Sequence, residues 1–409
     1  MRKFLIVSLS VVFVAFFCAG CAVNVPSSSS QVLAVKEGTA RGINDFGLSL
    51  LRELWEVKEQ NLFLSPPGIE MALSAAALGA RGKTQEEMLA VLGLSGMSIT
   101  EIAEENSSLS RMLNMANAKV EVRTAHSLWA RAGIPFYEDF LSQVRQYYQA
   151  TVESVDFADP GTLSRINQWV KQATHAKIDQ ILSRIPQNAI LILLNAIYFK
   201  GKWLYTFDPQ NTQSLPFYPL SGGSKNLPTM WQKGKFRYTE NGTLQAIQLP
   251  YGDTRFSMYI VLPKVPSGIG DLLRSLDTES LKNLIDTMAE RKGEVYLPRF
   301  RITFEETLNE VLKSLGMREA FDPDNADFSG MLPIPPVAFV SEVKHKSVLE
   351  VNEEGTEAAA ATSVTISLTA ALPEEPFLMR VDHPFLLAIR DERSGLFLFI
   401  GVVTDPESL

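Results

Sequence analysis

The chain has 409 residues, of which 46% are apolar and 21% charged, so it can bury a large core and is neither disordered nor fibrous. A formal net charge of -8 argues against a nucleic-acid partner, because neutralising phosphates requires a basic face. The two cysteines lie at positions 18 and 21 and the four histidines stand far apart, which argues against a catalytic metal or a cysteine nucleophile in the folded part, and we expect no cofactor.

The first 21 residues predict an export signal. Arg2 and Lys3 precede a mostly apolar run over residues 4–17, which is too short to span a bilayer as a helix. Cys18-Ala19-Gly20-Cys21 resembles the lipobox of bacterial lipoproteins, in which cleavage precedes a cysteine that carries the lipid; Cys18 stands where that pattern usually has leucine. We therefore expect residues 1–20 to be removed and Cys21 to be lipidated. Ordinary secretion is the alternative.

Residues 21–38 predict a flexible tether, since they include four consecutive serines at 27–30 and show no periodicity. No linker rich in Pro, Gly or Ser and no internal repeat follows, so residues 39–409 are predicted to form a single domain. With this acidic charge, attraction to an anionic membrane surface is weak, and the lipid on Cys21 would have to hold the protein at the cell envelope or surface.

Apolar residues recur at three- and four-residue spacing in five segments of the first half, which predicts helices there. The predicted helices cover residues 42–58, 67–80, 84–92, 137–148 and 164–181. The motif-like sequence 79–84 ends in Gly-Lys-Thr, but Ala77 stands where a phosphate-binding loop needs its first glycine, so a turn between two helices is the better interpretation.

The second half favours strands, with one further helix at 305–315. The predicted strands cover residues 190–199, 244–250, 256–262, 294–304, 385–390 and 397–403. The last of these is almost continuously apolar, which is typical of a strand buried on both faces. Helices early and strands late indicate an α+β fold rather than an alternating parallel one.

The segment after Gly355 is the most informative part of the sequence. No glycine or proline occurs from Thr356 to Leu372, and from residue 362 apolar residues alternate with serine and threonine: Val364, Ile366 and Leu368 would share one face. Four alanines at 358–361 precede this pattern, so an exposed helix or a low-complexity loop is the alternative. Small residues followed by strand formers would also suit a segment that slides between two existing strands.

An ordered set of motifs over residues 40–406 resembles the serpin family. The stretch Val351-Asn352-Glu353-Glu354-Gly355-Thr356-Glu357-Ala358-Ala359-Ala360-Ala361 resembles the hinge of inhibitory serpins, and the resemblance assigns the hinge itself to Glu354 to Ala361. Further matches in family order are Asn61 with Ser65-Pro66, residues 166–170, Asn195 to Trp203, Leu249-Pro250-Tyr251, Pro298-Arg299-Phe300, His383-Pro384-Phe385-Leu386 and Gly401-Val402-Val403. The resemblance implies a mixed central β-sheet with further sheets, a helical cluster and an exposed reactive loop at about 353–380.

The resemblance also implies a function and a mechanism. A protease cuts the loop, the loop inserts into the central sheet while still bound as an acyl-enzyme, and the protease is trapped; the native fold is metastable, and the protein is an inhibitor rather than an enzyme. The family's count from Gly355 places the reactive bond between Thr369 and Ala370, next to Leu368. These residues suit an elastase-like serine protease. A papain-like cysteine protease, or a non-inhibitory binding protein of the same fold, are the alternatives.

The resemblance assigns four further residues to the region where the sheet opens. Ser65, Asn195 and His345 match its polar residues, and Trp203 matches a tryptophan near the top of the opening. Gly68 stands where the family often has a second serine, so we expect a thinner polar network. The expected protein is a monomer whose partners are a protease and, through Cys21, a membrane.

Overall fold

Nine α-helices and fourteen β-strands form the regular structure of the residues that the computed structural model describes, which are 35–114, 119–187, 189–252, 254–333, 338–355 and 375–409. The helices are α1 (Glu37–Val57), α2 (Pro66–Ala77), α3 (Gly82–Val91), α4 (Ile99–Leu113), α5 (Glu138–Tyr148), α6 (Pro160–Ala173), α7 (Ile269–Ser275), α8 (Thr278–Asp286) and α9 (Asn309–Ser314). The strands are β1 (Leu62–Leu64), β2 (Val120–Arg131), β3 (Thr151–Val155), β4 (Leu191–Gly201), β5 (Gln213–Phe217), β6 (Lys225–Glu240), β7 (Leu244–Pro250), β8 (Phe256–Pro263), β9 (Ala289–Pro298), β10 (Phe300–Thr307), β11 (Val340–Val351), β12 (Phe377–Arg380), β13 (Phe385–Asp391) and β14 (Phe397–Val403).

Two sheets organise these strands. One has the order β10-β11-β4-β2-β3; the other runs β1-β14-β13-β8-β7-β6-β9-β12, with β5 paired to β6. Helices and mixed sheets together confirm the α+β class. The strand at 397–403 is buried throughout, as its continuous apolar sequence predicted.

Helix α2 lies inside the molecule. All twelve of its residues are buried, and it packs against β4, β2 and β14 as well as α1, α4 and α5. Its start is well defined, because the Ser65 hydroxyl accepts a hydrogen bond from the Gly68 amide and Pro66 occupies the first helical position. The helix therefore holds its first turn at a fixed place beneath the sheet β10-β11-β4-β2-β3.

Several predicted elements are wrong in their bounds. The helix expected over 164–181 ends at Ala173. Beyond it, the Thr174 hydroxyl donates a hydrogen bond to the Val170 carbonyl and accepts one from the Ile178 amide, which closes the last turn. The strand expected over 294–304 is two strands, β9 and β10, which belong to different sheets. The helix expected at 305–315 covers only 309–314, because β10 extends to Thr307.

Regular structure extends into two segments that were predicted to be irregular, the tether and the reactive loop. The first helix begins at Glu37, inside the segment predicted as tether, and residues 377–380, predicted as the end of the reactive loop, form the edge strand β12. The described residues all belong to one compact unit. No helix among them is long and apolar enough to cross a membrane.

Candidate functional site

The central feature of the sheet β10-β11-β4-β2-β3 is a parallel pair. Strands β4 and β11 run side by side in the same direction, with Leu193 opposite Val343 and Tyr198 opposite Val348. Each is also paired on its other edge, β4 with β2 and β11 with β10, and both of those pairs are antiparallel. Parallel ladders are slightly less stable per residue than antiparallel ones. We call the line between β4 and β11 the seam.

The chain that leaves β11 turns back at the top of the seam. Asn352 and Gly355 exchange backbone hydrogen bonds of 2.9 and 3.2 Å, and the Glu354 amide donates to Asn352 Oδ1 at 3.1 Å. Gly355 has φ of +129°, and a Cβ there would lie 2.1 Å from the Gly201 carbonyl oxygen. Only glycine fits this turn, which directs the chain towards the end of β4.

Gly355 already forms one antiparallel bridge, with Lys202 just beyond the end of β4. A chain continuing from Gly355 in that register would place Thr356 opposite Gly201 and Ile366 opposite Leu191. It would run antiparallel to both β4 and β11, because those two strands point the same way. The seam therefore offers the more stable antiparallel pairing to a strand that follows Gly355.

Trp203 fastens the hinge to the end of β4. Its backbone amide donates to the Glu354 carbonyl at 3.0 Å, and its indole Nε1 donates to the Asn352 carbonyl at 2.9 Å. Its ring stacks on Tyr251, with centroids 4.7 Å apart. The structure thus places Trp203 at the top of the seam, in direct contact with the turn.

Glu353 is a further hinge residue that the sequence analysis did not select. Its carboxylate is buried; Oε1 accepts from the Thr212 hydroxyl at 2.6 Å, and Oε2 lies 3.5 Å from Arg299 Nε. The Phe207 amide donates to its carbonyl at 2.9 Å. A sequence signal existed, because Glu353 belongs to the hinge motif, but its partners are remote in sequence and only the fold brings them together.

The structure brings Ser65, Asn195 and His345 together beneath the middle of the seam. The Ser65 amide donates to His345 Nε2 at 3.3 Å, and His345 Nδ1 lies 2.8 Å from Asn195 Oδ1. All three side chains are buried. Strand β11 supplies the histidine, β4 the asparagine and the start of α2 the serine, so this contact joins both sides of the seam to one helix.

The network extends through His126, which the sequence analysis did not select. Asn195 Nδ2 lies 3.2 Å from His126 Nδ1, and His126 Nε2 lies 2.8 Å from the Thr124 hydroxyl. Cross-strand pairing of His126 with Asn195 sets this contact. The expectation of a thinner network at Gly68 is qualified, because a Cβ there would lie 2.7 Å from Asn195 Oδ1, so the missing side chain makes room for the asparagine.

This network requires both histidines to be neutral. Asn195 Oδ1 accepts, so His345 Nδ1 carries its proton and Nε2 accepts from the Ser65 amide; Asn195 Nδ2 donates, so His126 Nδ1 accepts and its proton lies on Nε2. Burial lowers the pKa of His126 to about 4. Burial also lowers the pKa of His345 to about 3, against the opposing effect of the Phe63 carbonyl. A second proton on His345 Nε2 would face the Ser65 N–H, and one on His126 Nδ1 would face the Asn195 amide N–H; in both cases two donors would meet and the hydrogen bond would be lost.

We expect the folded protein to lose stability in acid through these two rings. Each has a folded pKa below the unfolded value of 6.5, so the unfolded chain binds more protons, and stability falls as the pH drops from 6.5 towards 4 and then 3. Each ring contributes on the order of 3 kcal/mol over that range. Urea unfolding of His126→Gln against wild type at about pH 4.5 and about pH 7 measures the effect. An unchanged acid dependence in His126→Gln would show that the ring does not titrate with folding.

The remaining predicted residues lie outside the described part of the chain. They are Cys21, Thr356 to Ala361 of the hinge, and the reactive-bond residues Leu368, Thr369 and Ala370. Glu354 and Gly355 are the two predicted hinge residues that the structure describes.

Comparison with known proteins identifies relatives across nearly the whole chain. The family model described as "Serpin (serine protease inhibitor)" matches residues 41–406. An uncharacterised serpin-like protein of Thermococcus kodakarensis is 36% identical over 391 residues, covering 94% of this chain and 90% of that protein. Neuroserpin of Homo sapiens is 34% identical over 367 residues, covering 86% of this chain and 88% of that protein.

Solved structures agree in fold. The native state of the thermophilic serpin tengpin superposes with a TM-score of 0.82 at 29% identity, covering 90% of this chain and 94% of that chain. Human thyroxine-binding globulin in complex with its ligand superposes with a TM-score of 0.83 at 26% identity, covering 92% of this chain and 100% of that chain.

Proposed function

The chain belongs to the serpin family, whose members are generally protease inhibitors, and on that premise we propose that it traps proteases as a suicide substrate. A protease would cut the segment after Gly355, and that segment would enter the seam between β4 and β11 before the acyl-enzyme hydrolyses. The observation that carries the proposal is the antiparallel bridge of Gly355 with Lys202 at the top of a parallel seam.

Extending that bridge gives a chemically consistent register. Val364 and Ile366 would lie opposite the buried Leu193 and Leu191, on the face of β4 that packs into the main core. Residues opposite one another in an antiparallel pair share a face. Apolar residues of the cut segment would therefore meet the apolar core.

The polar positions agree as well. In the same register Glu357 would lie opposite Lys200, an opposite-charge pair, and Thr362 opposite Asn195 of the polar network. The four alanines at 358–361 would lie opposite residues 199–196, which are all buried. Small side chains suit a place where existing side chains already fill the space.

The expected gain is large enough to drive insertion. The segment 356–369 would span about 45 Å as a strand. Each new ladder hydrogen bond contributes about 0.5–1.5 kcal/mol net. Eleven residues of β4 are available as partners on one side of the seam, and β11 provides the other side. The parallel ladder between β4 and β11 is broken in exchange, so the net gain is about one ladder, which is comparable to the roughly 5–15 kcal/mol that stabilise a typical domain.

Two features of the target remain proposals. The bond between Thr369 and Ala370, with Leu368 beside it, suits a protease with a narrow apolar pocket, and we propose an elastase-like serine protease. A papain-like cysteine protease is the second candidate target of the same mechanism.

The rival function is ligand binding without insertion, since one of the superposed proteins, thyroxine-binding globulin, binds thyroxine. The small residues of the hinge favour insertion over that rival.

We also propose that the mature protein is held at the cell envelope by a lipid on Cys21, since its amino-terminal sequence resembles a lipobox. Mass spectrometry of the amino terminus of the exported chain tests this. A mature end at Cys21 with added lipid mass supports the proposal, and an unmodified end at another residue contradicts it.

Incubation with an elastase-like protease, followed by denaturing electrophoresis, tests the inhibitory function. We expect a stable band at the mass of the protease plus the chain up to Thr369, because the ester bond at Thr369 survives denaturation while residues 370–409 leave as the amine fragment. Mass spectrometry should find a released fragment that begins at Ala370. Catalytically inactive protease is the control and should give no such band. Complete cleavage with full retention of protease activity contradicts the proposal.

A further inference from the structure

A second buried polar cluster lies where α2, α4 and α5 pack together, away from the seam. Its side chains are Glu70 and Ser74 of α2, Asn106 and Ser110 of α4, and Tyr148 at the end of α5. Glu70 is 1% exposed, and Ser74, Ser110 and Tyr148 are fully buried. We call these five residues the Glu70 cluster. A buried carboxyl group is rare in a protein core unless it is paired.

Hydrogen bonds satisfy only part of the cluster. Asn106 Nδ2 lies 3.2 Å from Glu70 Oε1, 3.2 Å from Ser74 Oγ and 3.1 Å from the Ile102 carbonyl. Four other buried polar atoms have no hydrogen-bond partner among the described residues: Glu70 Oε2, Asn106 Oδ1, Ser110 Oγ and Tyr148 Oη. A carboxylate left in this state carries the full cost of its lost hydration, whereas a protonated carboxyl does not.

No cation in the described structure compensates Glu70. The acid next to Asn106, Glu105, is paired with Lys36, whose Nζ lies 2.7 Å from Glu105 Oε1. The titratable group that faces Glu70 from α5 is Tyr148, and the strands beside α2 present His126 and His345, which are neutral and bound to Asn195. Among the described residues, strand β14 carries no charged side chain, and no charged group of α1 or α3 contributes to the shift in the pKa of Glu70.

Burial raises the pKa of Glu70 to about 7, against the opposing hydrogen bond from Asn106 Nδ2. The nearby Tyr148 has its own pKa raised, first by burial and then by the Glu70 charge. An ionised Glu70 therefore disfavours ionisation of Tyr148, as expected for two acids in one buried site.

We propose that Glu70 is a proton-controlled contact that fastens α4 and α5 to α2: protonated, it lets the three helices pack, and ionised, it loosens them. This holds whether or not the chain inhibits a protease, since it concerns the folded state alone. It bears on the sheet, because α2 begins at Ser65 in the network under the seam and α5 leads into the edge strand β3.

The pH dependence has a definite sign. The folded pKa of Glu70 is above its unfolded value of 4.5, so the folded chain binds more protons between 4.5 and about 7, and stability falls as the pH rises through that range. Above about 7 the loss is complete. His126 and His345 act in the opposite direction, because the stability that they contribute is lost as the pH falls. Measuring unfolding on both sides of neutral pH therefore separates the two contributions.

The test is the urea unfolding rate of the full chain at about pH 5.5 and about pH 8.5, for wild type, Glu70→Gln and the exposed control Glu86→Gln. Glutamine matches the shape of the neutral acid and cannot ionise. We expect wild type and Glu86→Gln to accelerate between the two pH values by roughly tenfold more than Glu70→Gln. Hydrogen exchange at about pH 8.5 should be faster in α4 and α5 of wild type than of Glu70→Gln, and equal in β13 and β14.

Two outcomes would overturn the proposal. One is an equal acceleration in Glu70→Gln and wild type; the other is an exchange difference spread evenly over the chain. If Glu70→Gln does not fold, infrared spectroscopy of wild type decides instead, because a buried protonated carboxyl has its own carbonyl band. That band should be present at about pH 5.5 and lost at about pH 8.5. Its absence at the lower pH would equally overturn the proposal.

Tyr148→Phe, which keeps the titrating acid, should retain the wild-type acceleration of unfolding between the two pH values.

Discussion

Thr356→Arg should convert the protein from an inhibitor into a substrate. The bridge of Gly355 with Lys202 places Thr356 opposite Gly201, on the face that carries Val364 and Ile366 into the main core. Thr356 itself lies outside the described residues. An arginine there would have to be buried without a partner at the first step of insertion. That costs several kcal/mol, and each 1.4 kcal/mol slows insertion about tenfold.

Slower insertion changes the outcome because it competes with hydrolysis of the acyl-enzyme. We expect more than about 90% of Thr356→Arg to be cleaved without forming complex, at an unchanged rate of first attack, since the reactive bond is untouched. The matched control is Thr356→Val, which keeps the shape and adds no charge and should still trap the protease. Densitometry of complex and cleaved bands measures the partition. Wild-type trapping by Thr356→Arg would mean that insertion does not begin at residue 356.

The sequence predicted the elements whose signal is local. The sequences of α1, α2, α3 and α5 show apolar periodicity within a short window, and those of β7, β8, β13 and β14 are short apolar runs; the structure confirms all eight elements within a few residues. The turn expected at residues 79–84 is found at 78–81, between α2 and α3, and residues 82–84 already belong to α3. The ordered motifs identified the family, which the comparisons confirm.

Elements that depend on distant partners were missed. Helix α4 has a clear capping box at Ser98 and Glu101, but its exposed face is strongly polar and its buried residues meet helices that are remote in sequence. Strand β2 has buried residues on both faces in its second half, so alternation gives no signal there. The sequences on both sides of Arg299 have strand propensity, so the sequence alone predicts no break there. The break exists because β9 and β10 belong to different sheets.

The candidate site shows the same division. Ser65, Asn195, Trp203 and His345 could be selected from motifs, and the structure places the first, second and fourth in one hydrogen-bonded network with Trp203 at the top of the seam. His126 and Glu353 could not be selected by their spacing. Their roles arise from the pairing of β2 with β4 and from the approach of Thr212 and Arg299, which are long-range contacts.

Asn195→Leu should make the sheet expand without a protease. Leucine has the same Cγ-branched skeleton as asparagine but leaves His345 Nδ1 and His126 Nδ1 without their buried partner, and it removes the link between β11 and β2 under the seam. Two unsatisfied buried groups cost about 2–5 kcal/mol. The native form bears that cost, whereas a form that has taken in its own loop gains a new strand in compensation.

The expected result is conversion of uncut Asn195→Leu, during incubation below its unfolding temperature, to a form that is more heat-resistant and no longer traps protease. The matched control is Gln248→Leu, which also replaces a buried amide with leucine but in the other sheet, where it bonds Ser257 and Glu392. Gln248→Leu should lose comparable stability and convert at the wild-type rate. Native electrophoresis over time, together with residual trapping capacity, measures both. If the two variants convert equally slowly, the Asn195 network is ordinary core packing; faster conversion of Asn195→Leu alone means that these hydrogen bonds hold the seam closed.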